Sequence, residues 1–137
     1  MDYIQLKTAL ERFGEMLKAY QSDSQRTPIE QEAVRDSLIK RFEYTLEVAW
    51  KTCKRHLEEE GFLEAATGSP KSIIRLAAQN ALIDNPQAWF RYLRVRQGAA
   101  HDYSSGKAEA VLILTEDFYG DVVKLYREMT GESNAFK

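Results

Sequence analysis

Apolar residues recur along this chain at steps of three and four, the spacing that puts them on one side of an α-helix. In the first segment Leu6, Leu10, Phe13, Leu17 and Tyr20 form such a stripe, widened by Ala9 and Met16, and predict a helix over about residues 3–21. The polar run 22–26, whose side chains compete for backbone hydrogen bonds, predicts a loop. Val34, Leu38, Phe42, Leu46, Ala49, Cys53 and Leu57 continue a second stripe to a natural stop at Gly61, a helix about 50 Å long at 1.5 Å per residue. Ile39, Tyr44 and Trp50 lie off that stripe, so this helix is expected to meet several neighbours or a second subunit.

Each of the three prolines follows a capping residue, in Thr27-Pro28, Ser69-Pro70 and Asn85-Pro86, and Glu30 completes a capping box after Thr27. Proline suits the first helical position because its missing N–H would have had no partner there. Three further helices are therefore expected: one over about 70–82, one starting at Pro86 and a last one over about 107–129, with Val111, Leu114, Phe118, Val122, Leu125 and Met129 inward. No segment alternates with a period of two. The expected fold is all-α, an antiparallel up-and-down four-helix bundle with one additional short helix, in a single domain over residues 1–137.

Composition adds exclusions. The formal charge is −2, so recognition of phosphate would need a local basic patch rather than a global field. The longest strictly apolar run is Ala110 to Leu114, far below the roughly 20 residues of a membrane span. The first residues contain no basic segment followed by an apolar block, so no secretory signal and a cytoplasmic location are expected. The single cysteine, Cys53, excludes an internal disulfide and reads as a small buried hydrophobe. A bundle di-metal site would want Glu-x-x-His pairs, but the residues three before His56 and His101 are Cys53 and Gly98. No metal and no cofactor are expected. His56, beside Arg55, is expected at the surface.

The local basic patch exists. Between Ala88 and Lys107 there are four Lys or Arg residues against one acid. Helical spacing sets Arg96 in line with Trp89, Leu93 and Ala100, facing the core or a cleft, where an ion pair with Glu43 or Glu47 is its ordinary explanation. Arg91 and Arg94 share another side, expected to be solvated. His101 follows Arg96 by five residues, near the helix end that Gly98 and Ser104-Ser105-Gly106 suggest. A histidine that titrates near neutrality beside an arginine fork could cleave RNA without metal, His101 moving protons and Arg96 stabilising developing charge.

Two segments carry a family resemblance: Arg41-Phe42-Glu43-Tyr44-Thr45-Leu46-Glu47-Val48-Ala49-Trp50-Lys51 on the long helix, and Arg96-x4-His101-x-Tyr103 about 45 residues later. Together with Ser69-Pro70-Lys71 they resemble the HEPN superfamily, and within it the nucleotidyltransferase substrate-binding proteins, toxin-like partners of a separately encoded minimal nucleotidyltransferase. The resemblance implies a homodimer in which Arg96 and His101 of two protomers line a shared cleft. As an alternative it implies a metal-independent endoribonuclease, silenced when the nucleotidyltransferase adds AMP to Tyr103 in a toxin–antitoxin pair. Gln97 and Arg94 are the candidates for contact with a nucleotide or RNA, and Glu43 and Trp50 for packing and interface. One position departs: Gln97 stands where the family commonly has a smaller polar residue, often asparagine. A third reading treats Arg96 and His101 as bundle glue alone.

Overall fold

The computed structural model describes residues 1–22, 25–99 and 105–137. Among them are six α-helices, α1 (Ile4–Gln21), α2 (Pro28–Glu59), α3 (Pro70–Gln79), α4 (Pro86–Ala99), α5 (Ser105–Leu112) and α6 (Thr115–Thr130), with a 3₁₀ turn at Leu63–Thr67. No strand occurs among the described residues. All three prolines open helices as expected. Thr27 and Glu30 form the reciprocal capping box, Thr27 Oγ1 accepting from Glu30 N at 3.2 Å and Thr27 N donating to Glu30 Oε1 at 3.0 Å. Ser69 Oγ accepts from Ser72 N at 3.3 Å, and Asn85 Oδ1 accepts from Ala88 N at 3.4 Å.

Cross-helix contacts give the packing directions. Tyr3 meets His56 and the Arg12 carbonyl meets Arg41, so α1 and α2 run antiparallel. Gln21 meets Glu116 while Phe13 meets Phe118, so α6 runs antiparallel to α1. Arg96 reaches Glu43 and Glu47 on α2, which touches every other helix and is the spine of the fold. At the centre sits Phe118, fully buried, with Phe42 at 4.7 Å, Tyr92 at 5.2 Å and Phe13 at 5.4 Å between ring centroids, all edge-on. Tyr92 adds a polar tie from α4 to α6 by donating its hydroxyl proton to Asp121. Cys53 lies fully inside, and burial pushes its thiol up to about 12.

Three details differ from the sequence reading. The expected last helix is two helices: the i→i−4 ladder holds through Ile113, whose N donates to Glu109 O at 3.1 Å, and is interrupted at Leu114. There Leu114 N donates to Val111 O at 3.0 Å, and the buried Thr115 hydroxyl donates to Leu112 O at 2.9 Å, a side-chain bond that competes with the helix. His56 is buried rather than on the surface: its Nδ1 pairs with the Tyr3 hydroxyl at 2.7 Å, which ties the start of α1 to the end of α2.

Helix α3 stops at Gln79, short of Leu82. Leu82 N donates to Ala77 O and Ala81 N to Ala78 O, the paired bonds of a Schellman ending, with Ala81 in the left-handed region at φ 61°. That conformation costs a residue with a Cβ about 1–2 kcal/mol, partly offset in glycine by a floppier unfolded chain. Ala81→Gly is therefore expected to stabilise the protein by up to about 1 kcal/mol in urea denaturation. A loss of stability would mean that the turn is not the source of strain.

Candidate functional site

The last two turns of α4 form one wall of a cleft of about 670 Å³. Phe90, Leu93, Arg94, Arg96 and Gln97 line it from α4, Glu47 and Trp50 from α2, and Ser69, Pro70 and Lys71 from the start of α3. The sequence explains why these three elements meet. The Ser69 cap and Pro70 fix where α3 begins, and Ile73, Ile74 and Ala77 bury its inner face against the spine. Helix α4 is anchored by the buried Trp89 and Tyr92, one turn before the arginines.

Arg96 is held by α2. Its Nη2 lies 3.3 Å from Glu47 Oε2 and its Nε donates to the Glu43 carbonyl at 3.4 Å. The side chains of this pair are 36% and 32% exposed, so the ion pair stands at the cleft wall rather than in the core. A guanidinium carries five N–H donors, more than these two contacts occupy, so the pair orients the fork without exhausting it. Glu47 has two further partners: Lys51 Nζ at 3.0 Å from Oε1, and Trp50 Nε1, which donates to Oε2 at 3.3 Å. Burial alone would raise its pKa, but the bonds from Lys51 and Trp50 and the charge of Arg96 outweigh that and hold the carboxyl below its ordinary value. It stays ionised at neutral pH, and so stays a fixed clamp on Arg96.

Opposite, Lys71 Nζ lies 5.6 Å and Arg75 Cζ 5.5 Å from the centre of the Phe90 ring, within cation–π range. The amino end of α3 adds its partial positive charge at Lys71. The described lining thus has three cations, one carboxylate and two large aromatic side chains. Cations suit phosphate oxygens and aromatic faces suit bases, so the chemistry fits a nucleotide or an unpaired stretch of RNA. Among the described residues no group of three or more His, Cys, Asp or Glu side chains is placed to share a metal ion.

Of the residues singled out by sequence, Arg94, Arg96 and Gln97 share this cleft. Arg94 was expected on a solvated side and is exposed, yet it borders the cleft with Arg96, because it stands at steps of three and four from Phe90 and Gln97 on the stripe of α4 that lines the cleft. His101 and Tyr103 lie outside the described residues. Lys71 and Phe90 were not anticipated. Ser69-Pro70-Lys71 was noticed as part of the resemblance, but nothing local told that it faces α4.

A family model described as "Nucleotidyltransferase substrate binding protein like" matches residues 1–131. The chain belongs to that family. Within curated proteins, this nucleotidyltransferase substrate-binding chain is 32% identical over 91 residues to a Haemophilus influenzae protein named "Probable ribonuclease HepT". The match spans 62% of each of the two proteins. A crystal structure of a Thermus thermophilus protein superposes with a TM-score of 0.76 at 26% identity, covering 91% of this chain and 98% of that one. A second neighbour, from Haemophilus influenzae, has a TM-score of 0.86 at 22% identity over 93% and 98% of the two chains, and shares the fold. Its structure is described as revealing the fold of a substrate binding domain of a nucleotidyltransferase. Among the described residues of this family member no helix is long and apolar enough to cross a membrane.

Proposed function

We propose that this chain is the substrate-binding, toxin-like subunit of a two-component nucleotidyltransferase, a single-domain homodimer that works in the cytoplasm beside a separately encoded minimal nucleotidyltransferase. The observation that carries the reading is the cleft in which Phe90, Arg94, Arg96 and Gln97 of α4 face Lys71 and Trp50. It offers forks and an ammonium for phosphates and rings for a base, which is what a subunit presenting a nucleotide or RNA needs. Family membership and the description of the Haemophilus neighbour as a substrate binding domain of a nucleotidyltransferase support the pairing.

The test is co-expression with a neighbouring small reading frame that has Gly-Ser followed by paired aspartates. The two chains are expected to co-purify as one complex, and purification of this chain without such a partner would count against the pairing.

A second reading is favoured by the relative named "Probable ribonuclease HepT". Here the chain is a metal-independent endoribonuclease: His101 exchanges a proton with the RNA 2′-hydroxyl or the leaving oxygen, and Arg96, clamped by Glu47, stabilises the charge that develops on phosphate. AMP added to Tyr103 silences it by placing negative charge and bulk near the cleft. The two readings are compatible in one protein.

A further inference from the structure

The cleft is one of three neighbouring cavities along α2. A second, of about 400 Å³, shares Glu47 with the cleft and is bordered by Tyr44, Lys51, Lys54 and Arg55. A third, of about 430 Å³, lies between α1 and α2, shares Gln5 and Tyr44 with the second, and holds Arg12 and Arg41. On α2, Arg41, Tyr44, Val48, Lys51 and Arg55 follow one another at steps of three and four, so the cavities lie along one stripe of the helix. From Arg41 to Arg55 that stripe is about 21 Å long at 1.5 Å per residue.

Charge is concentrated there. Among the described residues the three linings contain eight Lys or Arg side chains and two carboxylates, Glu47 and Glu58, an excess of +6. The whole chain carries −2, so the remainder carries −8. At the far end no carboxylate is among the described lining residues, and Arg41 is fixed by donating from Nη1 to the Arg12 carbonyl at 2.6 Å. Midway, Tyr44 is 54% exposed, an aromatic side chain set among cations.

We infer that this stripe is a track for a single RNA strand, which leaves the cleft between Lys51 and the Lys54-Arg55 pair, passes Tyr44 and ends between Arg12 and Arg41. The inference rests on RNA as the ligand of the cleft and extends that site by two cavities. A mononucleotide cannot use cations spread over this length, whereas a strand brings a phosphate to each group of them. Bases unpaired along the strand can stack on Tyr44 and Trp50, which a duplex would not allow.

The experiment is fluorescence anisotropy of the full chain with labelled 2′-O-methyl RNA, which cannot be cleaved through its 2′-oxygens, at roughly 4 and 12 nucleotides, within the range of single-strand site sizes. The longer strand is expected to bind at least tenfold tighter. The double variants R12Q/R41Q and K54Q/R55Q should each weaken the longer strand about tenfold, leave the shorter one unchanged, and flatten the salt dependence of log K by about 1.4, or 0.7 for each of two phosphate contacts. If neither double variant changes the longer strand while K71Q/R94Q abolishes binding, the track is wrong and the cleft stands. If neither length binds, RNA as the cleft ligand falls and the track with it. A DNA strand of the same sequence binding equally well overturns the assignment to RNA.

Discussion

Alanine at His101 is expected to slow cleavage of cellular RNA in EDTA by about 10²- to 10⁴-fold, the usual contribution of a positioned general acid or base. The imidazole is the side chain of the Arg96-x4-His101 pair that can take and return a proton near neutral pH, and alanine leaves no substitute. Arg96→Ala should also fall by about 10²- to 10³-fold, the cost of removing one donor that stabilises transition-state charge. Its second consequence separates a chemical role from a structural one. Removing Arg96 takes one cation from Glu47 but leaves Lys51 and Trp50 bound to it, so stability should change little while activity collapses. On the ribonuclease reading, Tyr103→Phe should cleave as the parent does and take up no AMP from the nucleotidyltransferase. Equal cleavage by the parent and His101→Ala would remove the proposed chemistry. Loss of folding without loss of specific activity would favour the glue reading of Arg96 and His101.

Phe118→Ala should be the most damaging core substitution, lowering stability by about 3–5 kcal/mol. The ring is fully buried and edge-on to Phe13, Phe42 and Tyr92, so its removal opens a cavity that helices α1, α2, α4 and α6 all border. Four rigid walls cannot all close on it, which places the cost at the upper end for such truncations. Against a total stability of about 5–15 kcal/mol the loss is large, and a fall in Tm of roughly 10 to 20 °C is expected for a chain of this size. Phe118→Leu keeps most of the volume and should cost less than half as much. Urea denaturation with a loss below about 1 kcal/mol for the alanine variant would show that the aromatic cluster is not packed in this way.

The pattern of caps and prolines located the starts of α2, α3 and α4 because those signals are local: Thr27, Ser69 and Asn85 bond backbone N–H groups within three residues. The apolar period of α1 and α2 was legible for the same reason. What failed was decided at a distance or by single bonds. The helix breaks at Leu114, inside an unbroken apolar run, where Leu114 N turns to Val111 O and the Thr115 hydroxyl takes Leu112 O, and hydrophobic spacing does not register that competition. His56 looked like a surface residue beside Arg55, and only the arrival of Tyr3 at the start of α1 covers its ring and gives it a partner.

The candidate site divides in the same way. Arg96 could be singled out, and Glu47 named as a partner, because helix geometry fixes which side of α4 the arginine occupies. The sequence by itself determined an all-helical chain, the beginnings of its helices, the basic patch on α4 and the residues that carry the family resemblance. Only the tertiary structure brought Lys71 and Trp50 to that patch and set it in line with Arg12 and Arg41. These residues are separated along the chain by tens of positions, and the burial of α2 against all of its neighbours, rather than any local pattern, decides which of them meet.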